Sequence, residues 1–412
     1  MRRRATLCLL LVAAACQAPP NESSPAADST ETSATTETTE TTETTETTET
    51  TETTETTEED DWAEVREAIE EALESSEVAG LAVAVTHPGE VIWTAGFGLA
   101  NVDSGLPVQP DTPFMLASVS KTVTGVAVMH AVESGLLTLD DDLAGVLPFP
   151  VDNPQVEDEV ITLSHLVTHT SGIRDNWAYM PYADGDSPYA LGEYLEGYLV
   201  PGGDWYSPAD NFYGYAPGRA WNYGNIATAL AGYVVEVGAA TPFDDYCDTH
   251  IFDVLGMHDT GWHLADFDPE TLAMPTAYVD GVFVSYGHYG YADYPDGQLR
   301  SSAADMGRFL AAMSNDGVLD DATVLQPSTM DALFTPHEPG GGDDQYVFWY
   351  RSDSDGRSVI GHGGNDRGVT TSIAFEPDTG IGVVLLTNAD GGNVGDLSSE
   401  VTQLLFEAVE AL

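Results

Sequence analysis

Ser118 and Lys121 stand three residues apart in the stretch ASVSKTVTG, and Lys121 is the only lysine among 412 residues. The other 11 basic residues are arginines, set against 68 acids. Residues three apart on a helix share a face, so the amine can reach the hydroxyl one turn back. A serine hydroxyl is a poor nucleophile until a neighbouring base takes its proton, and an ammonium beside it assists. If Ser118 opens a helix, the free backbone N–H groups at that end can also receive an oxyanion. The pattern Val119, Val123, Val126, His130 has helical spacing and predicts a helix ending near Gly135. The pair by itself also fits a capping serine and a surface lysine.

Other residue types compete for a chemical role. His165 and His169 are four apart and could share a helix face, but no His-Glu-x-x-His accompanies them, so no metal is assigned. Asp140, Asp141 and Asp142 read as a solvated turn rather than a calcium site. Cys247 has no evident base partner and reads as a buried structural thiol. No cofactor is implied.

The elements that must position the serine and lysine follow from composition and periodicity. Arg2, Arg3 and Arg4 precede an apolar run from Leu7 to Ala15 and then Cys16, the layout of a signal peptide over residues 1–16. Residues 17–61 hold seven consecutive Glu-Thr-Thr triplets from Glu37 and lack the apolar side chains needed to offset the entropy of ordering, so they read as a disordered linker. Residues 62–412 make one folded domain. The 14 acids and 3 arginines before Trp62 leave this domain 54 acids and 9 bases, a net charge of −45. Such a charge argues against nucleic acid and anionic membrane surfaces as partners.

Trp62 to Ser76 carries Val65, Ile69, Ala72 and Leu73 on one side and glutamates on the other, an amphipathic helix. Gly80 to Gly98 reads as a hairpin around His87-Pro88-Gly89. Strand character returns from Ser358 and from Val369 to Asn388, followed by a last helix with Leu397, Val401, Leu404, Ala408 and Leu412. The stretch between reads as helical and loop-rich, without strand alternation. The expected fold is α/β (α+β): an antiparallel sheet built from both chain ends, flanked by helices, with an inserted mostly helical lobe.

The run FMLASVSKTVTGVAVMHAVESGLLTLDDDL from Phe114, followed by ITLSHLVTHTSGI from Ile161, resembles the serine beta-lactamase and penicillin-binding protein superfamily. The branch it resembles holds class C beta-lactamases, D-alanyl-D-alanine carboxypeptidases and related esterases, and the likeness runs from about Leu81 to Asn388. The resemblance implies a beta-lactamase/transpeptidase-like fold and a serine hydrolase that works through an acyl-enzyme. Ser118 would be the acylated nucleophile and Lys121 its proton partner. The branch's Tyr-x-Asn motif matches Tyr223 and Asn225, the only such triplet in the chain. Tyr223 would be the general base or relay, and Asn225 would orient the substrate amide. The third motif, Lys-Thr-Gly or His-x-Gly, has two candidates, His288-Tyr289-Gly290 and His362-Gly363-Gly364. The second follows strand-like residues and is chosen, with His362 completing the hydrogen-bond network and Gly363 and Gly364 as motif glycines. The backbone N–H groups of Ser118 and Asn365 would form the oxyanion hole.

Histidine in place of lysine holds a substrate carboxylate less firmly than a fixed ammonium, which weighs against penicillin hydrolysis while leaving acyl transfer. The candidate substrates are a D-amino-acid peptide, a small ester and a β-lactam, in that order; the rival is an inactive relative that binds peptidoglycan fragments or protein. Nine tyrosines between Tyr179 and Tyr223 would line the cleft mouth and favour an apolar, aromatic or sugar-bearing acyl group. Among the arginines, Arg174, Arg219 and Arg367 are candidates for carboxylate recognition. AAAC, Ala13 to Cys16, resembles a bacterial lipobox. That resemblance implies lipid attachment at Cys16, export, and a membrane contact made through the N-terminal lipid alone.

Overall fold

A computed structural model describes residues 62–157, 159–336, 344–354 and 356–411. The signal peptide, Cys16 and the Glu-Thr-Thr stretch lie outside the described residues. The main sheet has seven strands, all antiparallel. From one edge they run Tyr350–Ser354, Arg357–Asp366, Val369–Phe375, Gly382–Thr387, Gly80–His87, Glu90–Asn101 and Leu106–Pro107. The expected hairpin is the Gly80–His87/Glu90–Asn101 pair, and its first strand lies beside Gly382–Thr387 with Leu81 opposite Thr387. Both chain ends thus build one sheet, as strand and helix periodicity implied.

Alternation along the central strands separates two cores. Leu81, Val83 and Val85, with Val383 and Leu385, pack against the terminal helices Ala63–Ser75 and Val394–Ala411. Trp62 stacks on Trp93 at 4.6 Å between ring centroids and closes that layer. Ala82, Ala84, Val384 and Leu386 face the other way, toward the helix Ala303–Met313 and the inserted lobe. The side chains there are small because that helix lies close. A methyl on its Gly307 would stand 3.0 Å from the Ala84 side chain.

Two sequence expectations are corrected. The last helix buries Leu397, Val401, Leu405 and Phe406, whereas Leu404 and Ala408 are only partly buried, so its inner face is rotated from the stripe read off the sequence. The inserted stretch also contains strands: Thr276–Val279 and Val282–Ser285 pair across Asp280-Gly281. Both turn residues have positive φ, 52° and 88°, the geometry that Asp-Gly hairpin turns demand. The exposed faces of these strands are apolar, which hid the alternation that marks a half-buried strand.

Candidate active site

Ser118 sits on the short turn Ala117–Val119, and the helix proper runs from Ser120 to Glu133. The sequence reading had Ser118 opening the helix itself; the structure gives it a tighter turn just ahead. Ala117 is held at φ 48°, a conformation costly for a residue with a side chain. Side-chain bonds lock this turn. Ser120 Oγ donates to the Ala117 carbonyl at 2.7 Å and accepts from the Leu299 N–H at 3.2 Å, while Thr122 Oγ1 donates to the Val119 carbonyl at 2.7 Å.

Lys121 is fully buried one turn further on. Its Nζ donates to Ser118 Oγ at 3.2 Å and to the Asp296 carbonyl at 2.6 Å. The Asp296 carboxyl lies 3.9 Å away, looser than a hydrogen bond. Burial pushes the Lys121 ammonium below its ordinary pKa, and the nearby Asp296, Asp175 and Asp293 offset part of that shift.

Tyr223 and Asn225 are brought to the same place by a buried histidine. His169 accepts from the Asn222 N–H with its carbonyl at 2.8 Å and from the Gly224 N–H with Nδ1 at 3.3 Å. Accepting at Nδ1 fixes the neutral tautomer with its proton on Nε2, and burial, with Lys121 nearby, holds its pKa well below the usual value. The Tyr223 ring lies 4.7 Å from His169, with Lys121 Nζ 4.8 Å from its centroid. Its hydroxyl is buried and makes no fully formed hydrogen bond. Burial raises the phenol well above its ordinary pKa, and a hydrogen-bonding interaction with the adjacent Ser118 side chain offsets part of the shift. Asn225 begins the helix Asn225–Ala239, and its side chain borders the cleft beside Ser118. The free N–H groups of that helix end are answered by Asp175, which accepts from Asn225 at 2.9 Å and Ile226 at 3.0 Å.

His362-Gly363-Gly364 lies on the strand Arg357–Asp366, as chosen from sequence. His362 is 4 % exposed; its Nδ1 donates to the Gly363 carbonyl at 2.7 Å, leaving Nε2 a bare acceptor without a partner among the described residues. Burial, with Lys121 nearby, pushes its pKa down to about 3, so the ring is neutral at any ordinary pH. Tyr350 packs 4.7 Å from it and accepts the Gly363 N–H at 3.3 Å. Gly364 is required sterically. A side chain there would overlap the Leu116 carbonyl and Thr371 Oγ1 and reach within 3.1 Å of the Ser118 backbone nitrogen. That close approach brings Asn365 to the cleft wall beside Ser118.

Some sequence candidates are not brought here. His288 Nε2 meets the Pro269 carbonyl at 3.3 Å, although Tyr289–Gly290 is in fact a short strand paired with Ala183–Asp184. His165 caps a short helix, its Nδ1 accepting the Thr162 N–H at 3.1 Å. Cys247 is buried, and burial pushes its thiol well up. Arg174 lies over the Tyr213 ring at 5.6 Å and Arg367 over the Tyr182 ring at 3.9 Å. Neither they nor Arg219 line the cleft. Among the described residues, no group of His, Cys, Asp and Glu is disposed to hold a metal ion.

Sequence reasoning missed Asp175, Tyr350 and the carboxyl pair Asp293 and Asp296. The pair is 2 % and 6 % exposed; Asp293 precedes the short turn Tyr294–Asp296 and Asp296 ends it. Burial raises both: Asp293 is pushed up to about 6, although its hydrogen bond with Asp296 offsets part of the shift, and Asp296 is pushed higher still by burial and the facing Asp293. The two carboxyls share a hydrogen bond, so the pair holds a proton between them.

The profile of the family described as "Beta-lactamase" matches residues 65–405. "Penicillin-binding protein 4" of Amycolatopsis lactamdurans is 28 % identical over 352 residues, covering 80 % of this chain and 85 % of that protein. "Esterase EstB" of Burkholderia gladioli is 31 % identical over 217 residues, 52 % of this chain and 53 % of that one. Among solved structures, the D-amino acid amidase of Ochrobactrum anthropi SV3 is similar with a TM-score of 0.69 at 21 % identity, covering 85 % of this chain and 99 % of that one, a likeness of fold.

Proposed function

Because this chain belongs to the beta-lactamase family, we propose that it is an active serine hydrolase that forms an acyl-enzyme on Ser118 from an amide or ester. The observation that carries the reading is the 3.2 Å contact between the Nζ of the buried Lys121 and Ser118 Oγ at the cleft. With the lysine pKa lowered and the tyrosine pKa raised, Lys121 is the better first base. Ser118 Oγ attacks the carbonyl carbon while its proton passes to Lys121. The oxyanion is received by the Ser118 and Asn365 N–H groups. Collapse of the adduct breaks the bond to the leaving nitrogen or oxygen, which takes up the proton through Lys121 and the Tyr223 hydroxyl. Water then attacks the ester carbonyl, and the acid and Ser118 are released. Asn225 orients the acyl amide, and the bare Nε2 of His362 accepts a hydrogen bond from the bound substrate.

The residues lining the cleft include Asp293, Asp296 and Asp366 and neither lysine nor arginine, which favours amides and esters over the carboxylate-bearing β-lactams.

The test is covalent labelling with a fluorescent fluorophosphonate and a fluorescent penicillin. Fluorophosphonate labelling that disappears in Ser118→Ala, with turnover of a p-nitrophenyl ester falling by about 10⁴-fold or more, is the expected result. Absence of labelling by either probe in folded protein would leave a binding role instead.

A further inference from the structure

The cleft beside Ser118 adjoins a second cavity, of about 190 Å³, walled by Tyr182, Tyr189, Tyr194, Trp205, Pro188 and Ala292. Its aromatic lining is built as a unit: Trp205 meets Tyr189 edge-on at 4.9 Å and Tyr194 at 5.1 Å. Asp293 is the one charged residue on that lining, and it also borders the Ser118 cleft. One carboxyl therefore stands where the two spaces meet.

That carboxyl is not compensated as a buried charge ordinarily is. It is 2 % exposed, its hydrogen-bond partner is a second carboxyl, Asp296, and among the described residues no salt bridge reaches it. Lys121 attracts it from a distance, but the lysine's hydrogen bonds go to Ser118 and to the Asp296 carbonyl. A desolvated carboxylate left without a cation is costly, and the cost is removed when a ligand brings one. The faces of the neighbouring tyrosines and Trp205 add to the attraction for a cation and, beside it, bury an apolar group.

We propose that the two cavities together take an acyl donor with a primary ammonium next to its carbonyl and an apolar, preferably aromatic, side chain: an α-amino acid amide or ester. The ammonium sits against Asp293, the side chain enters the Tyr189–Tyr194–Trp205 chamber, and the carbonyl reaches Ser118. Chemistry at Ser118 rests on the hydrolase reading above; recognition of the amine and of the side chain does not.

The test is calorimetric binding to Ser118→Ala protein, which cannot turn the ligands over. The probes are phenylalanine amide in both hand forms, its N-acetyl derivative and alanine amide. The free amine is expected to bind at least about tenfold more tightly than the acetylated ligand, and Asp293→Asn to shrink that preference to within about threefold. Trp205→Ala is expected to remove the advantage of phenylalanine over alanine amide and to keep the amine preference. Equal or tighter binding of the acetylated ligand would overturn the proposal, and that comparison needs no further variant to fold. Fluorophosphonate labelling of the wild-type chain separates the two ideas. Labelling without an amine preference sinks this site alone, whereas an amine preference without labelling sinks the hydrolase reading and keeps the site.

Discussion

Along Gly80–His87, Leu81, Val83 and Val85 face the terminal helices, whereas Ala82 and Ala84 face the helix Ala303–Met313 and the lobe beyond it. The strand that carries the third motif divides in the same way: Val359 belongs to the outer core, and Ile360 and His362 to the inner side. On the outer side, close packing of apolar groups is the stabilising term. On the inner side, a buried lysine, two neutral histidines and two facing carboxyls are held at a cost, around the serine that the proposed acyl transfer would use. Apolar packing and the candidate site are therefore placed on opposite faces of one sheet, and substitutions on each face should separate stability from the proposed activity.

The largest stability effect is expected on the outer face. Leu405 is completely buried between the last helix and the sheet. Leu405→Ala should cost about 2–5 kcal/mol by lost burial and cavity formation. Urea unfolding measures the loss, and kcat/KM per folded molecule on a p-nitrophenyl ester should stay within about twofold of wild type. A parallel fall in kcat/KM would mean that the two faces are coupled.

Gly364→Ala addresses the junction itself. The added methyl would overlap the Leu116 carbonyl and crowd the Ser118 nitrogen, displacing Asn365 from its place beside Ser118. Losing one oxyanion donor costs about 10²–10³ in rate, and a displaced donor should cost about 10²-fold in kcat with KM changed much less. Steady-state kinetics at saturating ester read this directly. Unchanged kcat would remove Asn365 from the oxyanion assignment.

What could be read from the sequence follows the same division. The outer core was legible because period-2 alternation in Leu81, Val83 and Val85 and the helical stripe of Val65, Ile69 and Ala72 are local signals. Ser118 with Lys121 was legible for the same reason, since one turn of one helix sets their relation. Tyr223, Asn225 and His362 came from motif order rather than from any local geometry. Asp293 and Asp296 gave no signal, because a carboxyl pair beside Pro295 and Gly297 looks like any polar turn until the fold closes it under Lys121. The anchoring of the Tyr-x-Asn segment by His169 was equally hidden; that histidine drew notice only for its spacing from His165. The Asp280-Gly281 hairpin could have been read from its turn residues and was obscured by apolar neighbours on both faces.

The smallest effect expected is the one that shows whether the inner face is strained. Asp293 has its folded pKa raised from 3.8 to about 6 by burial. Between those values the folded chain holds more protons than the unfolded one, so this group's contribution to stability falls as pH rises through the window and stays low above about 6. Asp293→Asn cannot ionise and relieves Asp296 of its facing carboxyl, so the variant should be more stable than wild type at pH 7.5 by about 1 kcal/mol. At pH 4 the gain should vanish. Asp248 and Asp305 are also raised to about 6 and titrate in the same window, but they are present in both proteins and cancel in the difference. Urea unfolding of the two proteins at pH 4 and pH 7.5 measures it. A difference that stays constant with pH would mean that Asp293 is already compensated in the free protein, and the contrast between a relaxed outer face and a strained inner one would then rest on Lys121 and His362 alone.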